Sequence, residues 1–138
     1  MTIHMVKLCV GADDVDDLIN WQKRLMQTLP HPVHHTRMAP KRAEELLNGG
    51  SIYWVIKRAI RVRQKIIDIR SVDDREGRAM CELVFDPETI RTRAQPKRPF
   101  QGWRYLKPDD APVDLKSGER AVNIPATLDA ALKDAMVW

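Results

Sequence analysis

One short segment of the chain combines aromatic rings with cations. In RPFQGWRYLKP, residues 98–108, three rings lie within six residues: Phe100, Trp103 and Tyr105. The cations beside them are Arg98, Arg104 and Lys107. Unpaired bases stack on aromatic side chains for about 1 to 3 kcal/mol each, while cations hold the phosphates. The segment therefore predicts a contact surface for RNA or single-stranded nucleic acid.

The same rings also fit a core. If this part of the chain is a strand, Trp103 and Tyr105 share one face, opposite Arg104 and Leu106. Aromatic residues are only 6% of the chain, and an aromatic face in a small protein usually packs inside. We expect Trp103 and Tyr105 to close the core and the neighbouring cations to face outward, while Phe100 belongs to a loop.

The positive charge of the chain is concentrated in its middle. Residues 37–107 contain 17 Lys/Arg and 9 Asp/Glu, a net charge of +8, whereas the rest contains 6 and 10, which leaves the overall +4. Clustered cations gain free energy when they release the counterions condensed on phosphates. The asymmetry favours a polyanionic partner, and a solvated basic face without a partner is the alternative. The residues predicted to contact nucleic acid are Lys41, Arg42, Lys57, Arg61, Arg63, Arg91, Arg93, Lys97, Arg98, Phe100, Trp103, Arg104, Tyr105 and Lys107.

Strands must position most of these cations. IRVRQKIIDIRSV, residues 60–72, predicts a strand in which Ile60 and Val62 face one side and the arginines between and after them face the other. Its second half is apolar on both sides. SIYWVIK, residues 51–57, is also apolar on both faces, and ETIRTRA presents Arg91 and Arg93 on one face. IHMVKLCV, residues 3–10, is a further strand, and RAMCELVF runs back as a hairpin partner after the turn DDREG.

Two helices are predicted in the first half of the chain. The first is capped by Asp13 or Asp14 and ended by Pro30 and Pro32. Its apolar stripe is Val15, Leu18, Ile19, Gln22, Leu25, Met26 and Leu29.

The second helix is APKRAEELLNGG, residues 39–50, with Ala43, Leu46 and Leu47 inward. Lys41 and Arg42 lie at its start, where backbone amides are already positive. The pair is either exposed and screened or forms an anion site with the helix start.

These elements indicate an α+β protein with a small curved mixed or antiparallel sheet or partial β-barrel and about three helices. The 138 residues predict one domain, divided into an α+β core at 1–107, an extended surface arm at 108–125 and a C-terminal helix at 126–138. Trp138 at its end would pack on a neighbouring strand or on a second subunit. A homodimer is therefore a further expectation.

Two other sets of residues, histidines and cysteines, are of types that can bind metals or form disulfides. His31, His34 and His35 crowd into PHPVHHTR, but the last two would point to opposite sides of a strand, and no fourth ligand has a familiar spacing. Cys9 and Cys81 each lie in an apolar run and predict two buried thiols. We expect neither a metal site nor a cofactor.

Common catalytic motifs are absent from the chain. It has no Gly-x-Ser-x-Gly elbow, no phosphate loop, no Gly-x-Gly-x-x-Gly and no His-Glu-x-x-His. For Asp68, Glu82, Asp86 and Glu88 a solvated or salt-bridged role is favoured over acid/base work, and no catalytic residue is assigned.

No apolar run reaches the roughly 20 residues that cross a membrane, so no membrane association is predicted. The start, MTIHMVKLCVGADD, lacks the pattern of a signal peptide, and the expected compartment is the cytoplasm.

Several segments together resemble one known family. They are HMVKLCVGADDVDDL, Met38 followed by APKRAEELLNGGSIYWVIK, ELVFDPETI, and RPFQGWRYLKPDDAP. This combination resembles a family of short bacterial proteins known as domain of unknown function 1489, over nearly the entire chain. The resemblance implies no established activity and assigns no site residue.

A second resemblance concerns architecture. A helix with Pro40, Lys41, Ala43, Glu44, Leu46, Leu47 and Gly49 in these places, followed at once by strands, looks like the entrance to the PUA and ASCH group of small β-barrels. That group includes RNA-binding modules and some enzymes acting on modified nucleosides. ASCH proteins usually continue with Lys, Glu and Arg, whereas this chain has SIYWVIK, so the acidic member of an amidohydrolase-like site is missing here.

Three functional hypotheses follow. The leading one is a module that binds RNA or single-stranded nucleic acid. The second is a protein-interaction module or homodimer with no nucleic-acid role. The third is an enzyme on a nucleotide or modified nucleoside, with Lys41, Lys57 and Glu82 as its candidate groups.

Overall fold

The computed structural model describes residues 1–115. The helix predicted at 126–138, Trp138 with its dimer contact, and the arm beyond residue 115 lie outside the described residues. The elements in chain order are β1 (His4–Leu8), α1 (Val15–Leu25), β2 (Val33–Thr36), α2 (Ala43–Leu47), β3 (Ser51–Ile56), β4 (Ala59–Asp73), β5 (Ala79–Phe85), β6 (Ile90–Pro96), β7 (Trp103–Leu106) and a 3₁₀ turn (Pro108–Asp110).

The strands form one mixed sheet in the order β2-β5-β4-β3-β1-β7, with β6 also paired to β4. β1 and β3 are parallel, and the other pairs are antiparallel. The predicted α+β class with a mixed sheet is confirmed. The sheet is open, with β2 and β7 at its edges, so it is not a closed barrel. Residues 1–115 contain two α-helices, so the count of about three is not shown, and its third helix at 126–138 lies outside the described residues.

β4 is the longest strand and links the two halves of the sheet. Its first half pairs with β3 and β6, and its second half pairs with β5. The register of β4 shifts between Ile60 and Val62, where Arg61 is an extra residue. Because of this bulge Ile60 and Val62 pack in different cores, on opposite faces of the sheet. The prediction that they face the same side is therefore wrong.

α1 covers one face of the sheet, here called the first face. The Asp14 side chain caps the helix by accepting a hydrogen bond from the Asp17 amide at 2.9 Å, as predicted. The helix buries Val15, Leu18 and Gln22 over a core that includes Met5, Ile52, Trp54, Val62, Leu83 and Phe85. It ends at Leu25, one turn earlier than its prolines predict, so Leu25 and Leu29 are more than a third exposed.

α2 is shorter than predicted, with five residues. Of the three positions expected to face inward, Leu46 is fully buried, whereas Leu47 is 39% exposed. Gly50 is required immediately after the helix, because a Cβ there would lie 2.3 Å from the carbonyl oxygens of Ile3 and Leu46. This contact seats the helix against the start of β1.

The opposite face of the sheet, the second face, carries a smaller core. It consists of Val6, Tyr53, Val55, Ile60 and Leu106, with Phe100 and Ala111 packed against it. All six residues of β3 are buried, so the prediction that this strand is apolar on both faces is confirmed. Residues 108–115 run over this face, and Thr92 bridges to Asp114. No helix within residues 1–115 has the length and apolarity that a membrane crossing requires.

Candidate nucleic-acid interface

Two segments meet at the end of the sheet where β3 turns into β4. Ala59 pairs with Pro96, and the Lys97 amide donates to the Arg58 carbonyl at 2.8 Å. The chain then crosses this end as a loop and enters β7 at Trp103, beside Lys7 of β1. The turn and the loop thus form one continuous surface.

The turn itself has an unusual backbone. Lys57 and Arg58 have φ values of 49° and 64°, the left-handed region that two-residue hairpins demand and that Asn and Gly normally supply. Two long cationic side chains therefore occupy strained positions, and both are exposed. Such outliers often mark positions kept for function.

The loop adds a ring with cations beside it. The Lys97 ammonium lies 5.8 Å, and the Arg104 guanidinium carbon 5.3 Å, from the centroid of the Phe100 ring. Phe100 is half-buried, because its ring also packs against the core of the second face. We call this surface the basic end. Its members are Lys57, Arg58, Lys97, Arg98, Phe100 and Arg104.

The cations of the basic end have no acidic neighbours in sequence and form no ion pair with a carboxylate of residues 1–115. Residues 57–61 and 97–104 contain no Asp or Glu. Nine ion pairs link side chains within residues 1–115, and none uses a cation of the basic end. The paired cations are Arg37, Arg42, Arg63, Arg70, Arg78, Arg91 and His35. The five cations of the basic end are therefore not neutralised by a carboxylate of residues 1–115.

Trp103 and Tyr105 lie in the first-face core, as the strand pattern predicts. Trp103 is 6% exposed, and its indole Nε1 donates to the Met38 carbonyl at 3.0 Å. The Tyr105 hydroxyl accepts a hydrogen bond from the Arg42 amide at 3.0 Å, and the two rings meet edge to face at 4.9 Å. Trp103 is buried and has no face for a base, whereas Tyr105 and Phe100 are partly exposed. Of these two rings, Phe100 is the one that lies among the cations of the basic end.

Arg63 lies on the second face, away from the basic end. Its guanidinium donates to both carboxylate oxygens of Asp114, at 2.7 and 2.8 Å, and to the Ser51 hydroxyl at 3.0 Å. These hydrogen bonds raise the pKa of Arg63 and lower the pKa of Asp114. Arg63 therefore fastens the chain after β7 to the sheet, which occupies the side chain.

The cations before α2 form no helix-start anion site. Arg42 is bound to Glu45 through two hydrogen bonds, and its guanidinium lies 5.4 Å from the Tyr105 centroid. Lys41 is exposed beside it. A helix of five residues has too small a dipole to hold an anion, so the screened alternative fits these two residues.

The remaining predicted contacts are dispersed. The Arg61 Nε donates to the Ile56 carbonyl at 2.7 Å and supports the turn, while Arg91 reaches Asp16 of α1 at 3.3 Å. Arg93 is exposed on β6. Lys107 follows the end of β7 that pairs with His4, the end away from the turn. Of the predicted set, the structure gathers Lys57, Lys97, Arg98, Phe100 and Arg104.

Arg58 is a member of the basic end that the sequence interpretation missed. The sequence did indicate a turn here, because Lys57 and Arg58 separate two apolar runs, and two residues are the length of a tight hairpin connection. The turn residues did not match the usual Asn-Gly, which concealed the hairpin.

The candidate groups for an enzyme do not converge. Glu82 accepts a hydrogen bond from the His35 Nε2 at 2.9 Å and lies opposite Arg70 on β5. Lys57 adjoins Ala59 at the other end of β4, which at the rise of a strand is roughly 30 Å away. His34 and His35 point to opposite sides, as predicted, and residues 1–115 contain no group of three potential metal ligands.

The chain belongs to the family described as protein of unknown function DUF1489, whose model matches residues 5–138. No curated protein and no solved structure matches the chain. The family resemblance seen in the sequence is thus confirmed, whereas the likeness to PUA and ASCH barrels is not.

Proposed function

We propose that this DUF1489 protein binds RNA or single-stranded nucleic acid through the basic end. One observation carries the proposal: Lys97 and Arg104 lie over a half-buried aromatic ring, in a group of five cations that no carboxylate of residues 1–115 pairs with. Cations bind the phosphates of a strand, and the ring stacks on a base.

The shape of the surface favours an unpaired strand over a duplex. A reader of the DNA major groove usually presents a helix or a two-stranded ribbon whose side chains reach base edges. Neither described helix is suited to this, since α1 has Asp16 and Asp17 in its first turn and α2 has five residues. A loop with one ring matches bases that are already exposed.

The arrangement also argues against a merely solubilising role. Six arginines elsewhere in residues 1–115 are paired with carboxylates, some of them from distant parts of the chain. At the basic end like charges are held together by the Lys97–Arg58 backbone bond and by a strained turn. Screening by a bound polyanion would relieve this repulsion.

Fluorescence anisotropy of labelled single- and double-stranded RNA and DNA, at several salt concentrations, tests the proposal. We expect single strands to bind and log Kd to change steeply with log salt. The triple variant R58A/R98A/R104A should weaken binding. If each arginine contacts one phosphate, the loss of three contacts at about 0.7 each should lower the magnitude of the salt slope by about 2.

The matched control is K23A/R24A/R75A, which removes the same charge from exposed positions outside the basic end. We expect it to bind nearly as the wild type does. Equal losses in both triple variants would show non-specific attraction to net charge. Absence of binding at low salt would contradict the proposal outright.

A further inference from the structure

A cleft separates α1 from the sheet on the first face. Its volume is about 230 Å³. Leu18 and Trp21 of α1, Trp54 of β3 and Phe85 of β5 form its apolar walls, with Lys7 of β1 and His34 of β2 beside them. No Asp or Glu of residues 1–115 lines it.

Lys7 holds an inward position of β1. Met5 and Cys9, two residues to either side, belong to the first-face core, whereas Val6 packs on the second face. The partners of Lys7 across the strands are Trp54 and Trp103. Burial lowers the pKa of Lys7, and no carboxylate in residues 1–115 forms an ion pair with it. Lys7 is partly exposed, and an anion beside its ammonium would supply the counter-charge that residues 1–115 do not provide.

Other polar groups of the cleft are already occupied or neutral. Gln22 and Gln64 bond to each other at 2.7 and 2.6 Å, and the Trp54 indole donates to Gln64 at 3.0 Å. His34 meets Trp54 edge to face at 5.5 Å, and burial together with the Lys7 charge lowers its pKa to about 4. The His34 Nε2 is buried without a partner among the described residues. Among the described residues, Lys7 is thus the one cation that lines the cleft.

We propose that this cleft binds a small planar aromatic anion, with its anionic group on the Lys7 ammonium and its ring among Leu18, Trp21, Trp54 and Phe85. The size fits, because an apolar cavity of about 150 Å³ accepts benzene, and this cleft has room for a substituent as well. A single cation in an apolar site matches one carboxylate better than a phosphate chain, which needs more donors. The inference does not depend on nucleic-acid binding.

Benzoate, benzamide and benzylamine are the probes, since they share a ring and differ in charge. Titration calorimetry measures affinity, and the indole N–H signals of Trp21 and Trp54 report the place of binding by NMR. We expect benzoate to bind about tenfold more tightly than benzamide, and benzylamine to bind weakest.

Lys7→Met keeps the length of the side chain and removes its charge. It should abolish the preference for benzoate over benzamide while leaving the protein at least as stable, because a partly buried charge is removed. Lys23→Met, at an exposed position of α1, is the control and should keep the preference. Equal affinity for the two probes, a preference that survives Lys7→Met, or no response to any probe overturns the proposal.

Discussion

Both ends of β4 carry many cations, but the two ends differ in whether carboxylates pair with these cations. At the far end, Arg70 and Arg78 contact Asp68, Asp74, Glu76 or Glu82. The Asp74 carboxylate also accepts hydrogen bonds from the Arg37 side chain and from two backbone amides, so it stabilises the turn between β4 and β5. At the near end, the basic end has no such carboxylates. Charge at the far end therefore stabilises local structure, whereas the cations at the near end have no carboxylate partner within residues 1–115.

The largest effect that separates the two ends should come from the ring. Phe100 is the aromatic residue of the basic end, and residues 68–82 at the far end contain none. Phe100→Leu keeps most of the packing against the second-face core but removes the stacking surface. We expect single-strand affinity to fall by about 1 to 3 kcal/mol, by anisotropy, with a salt slope close to that of the wild type. Unchanged affinity would reduce the basic end to a purely electrostatic surface.

The strained turn gives a second contrast, in stability. Replacing Lys57-Arg58 by Asn-Gly supplies residues that accept positive φ, so the free energy of unfolding should rise by about 1 kcal/mol, measured with urea. The same change should weaken nucleic-acid binding, because it removes two cations. Arg58→Gly alone should show both effects in smaller measure. A turn variant that loses stability would show that the long side chains stabilise the turn.

The smallest effect should come from protonating the carboxylates of the far end at low pH. Hydrogen bonds from Arg78 and Arg37 lower the pKa of Asp74, and those from Arg70 lower the pKa of Asp68. A depressed carboxyl pKa stabilises the fold above its unfolded value, near 3.8, and this stabilisation is lost as pH falls through the folded value. We expect Tm to fall below about pH 4, and Asp74→Asn to reduce part of that dependence. Identical Tm profiles for both proteins would show that these pairs are screened by solvent.

Much of the fold follows from local patterns. The Asp14 cap, the double burial of β3 and the inward placement of Trp103 and Tyr105 each depend on alternation or capping chemistry within a few residues. The predictions that were wrong depend on features without a local pattern. The bulge at Arg61 separates Ile60 from Val62, α1 ends at Leu25 before Pro30 is reached, and α2 begins only at Ala43, after Pro40.

The sequence by itself determined the mixed α+β class, the polarity of charge along the chain and the elements that carry it. Only the tertiary structure decided which cations have partners. Arg63 meets Asp114 and Arg91 meets Asp16, across 51 and 75 residues, and no local pattern shows such meetings. In the sequence Lys7 is likewise only one polar residue of a strand, and only the packing of α1 on the sheet places it beside a cleft. Ion pairs and clefts depend on distances in space, which the order of residues along the chain does not state.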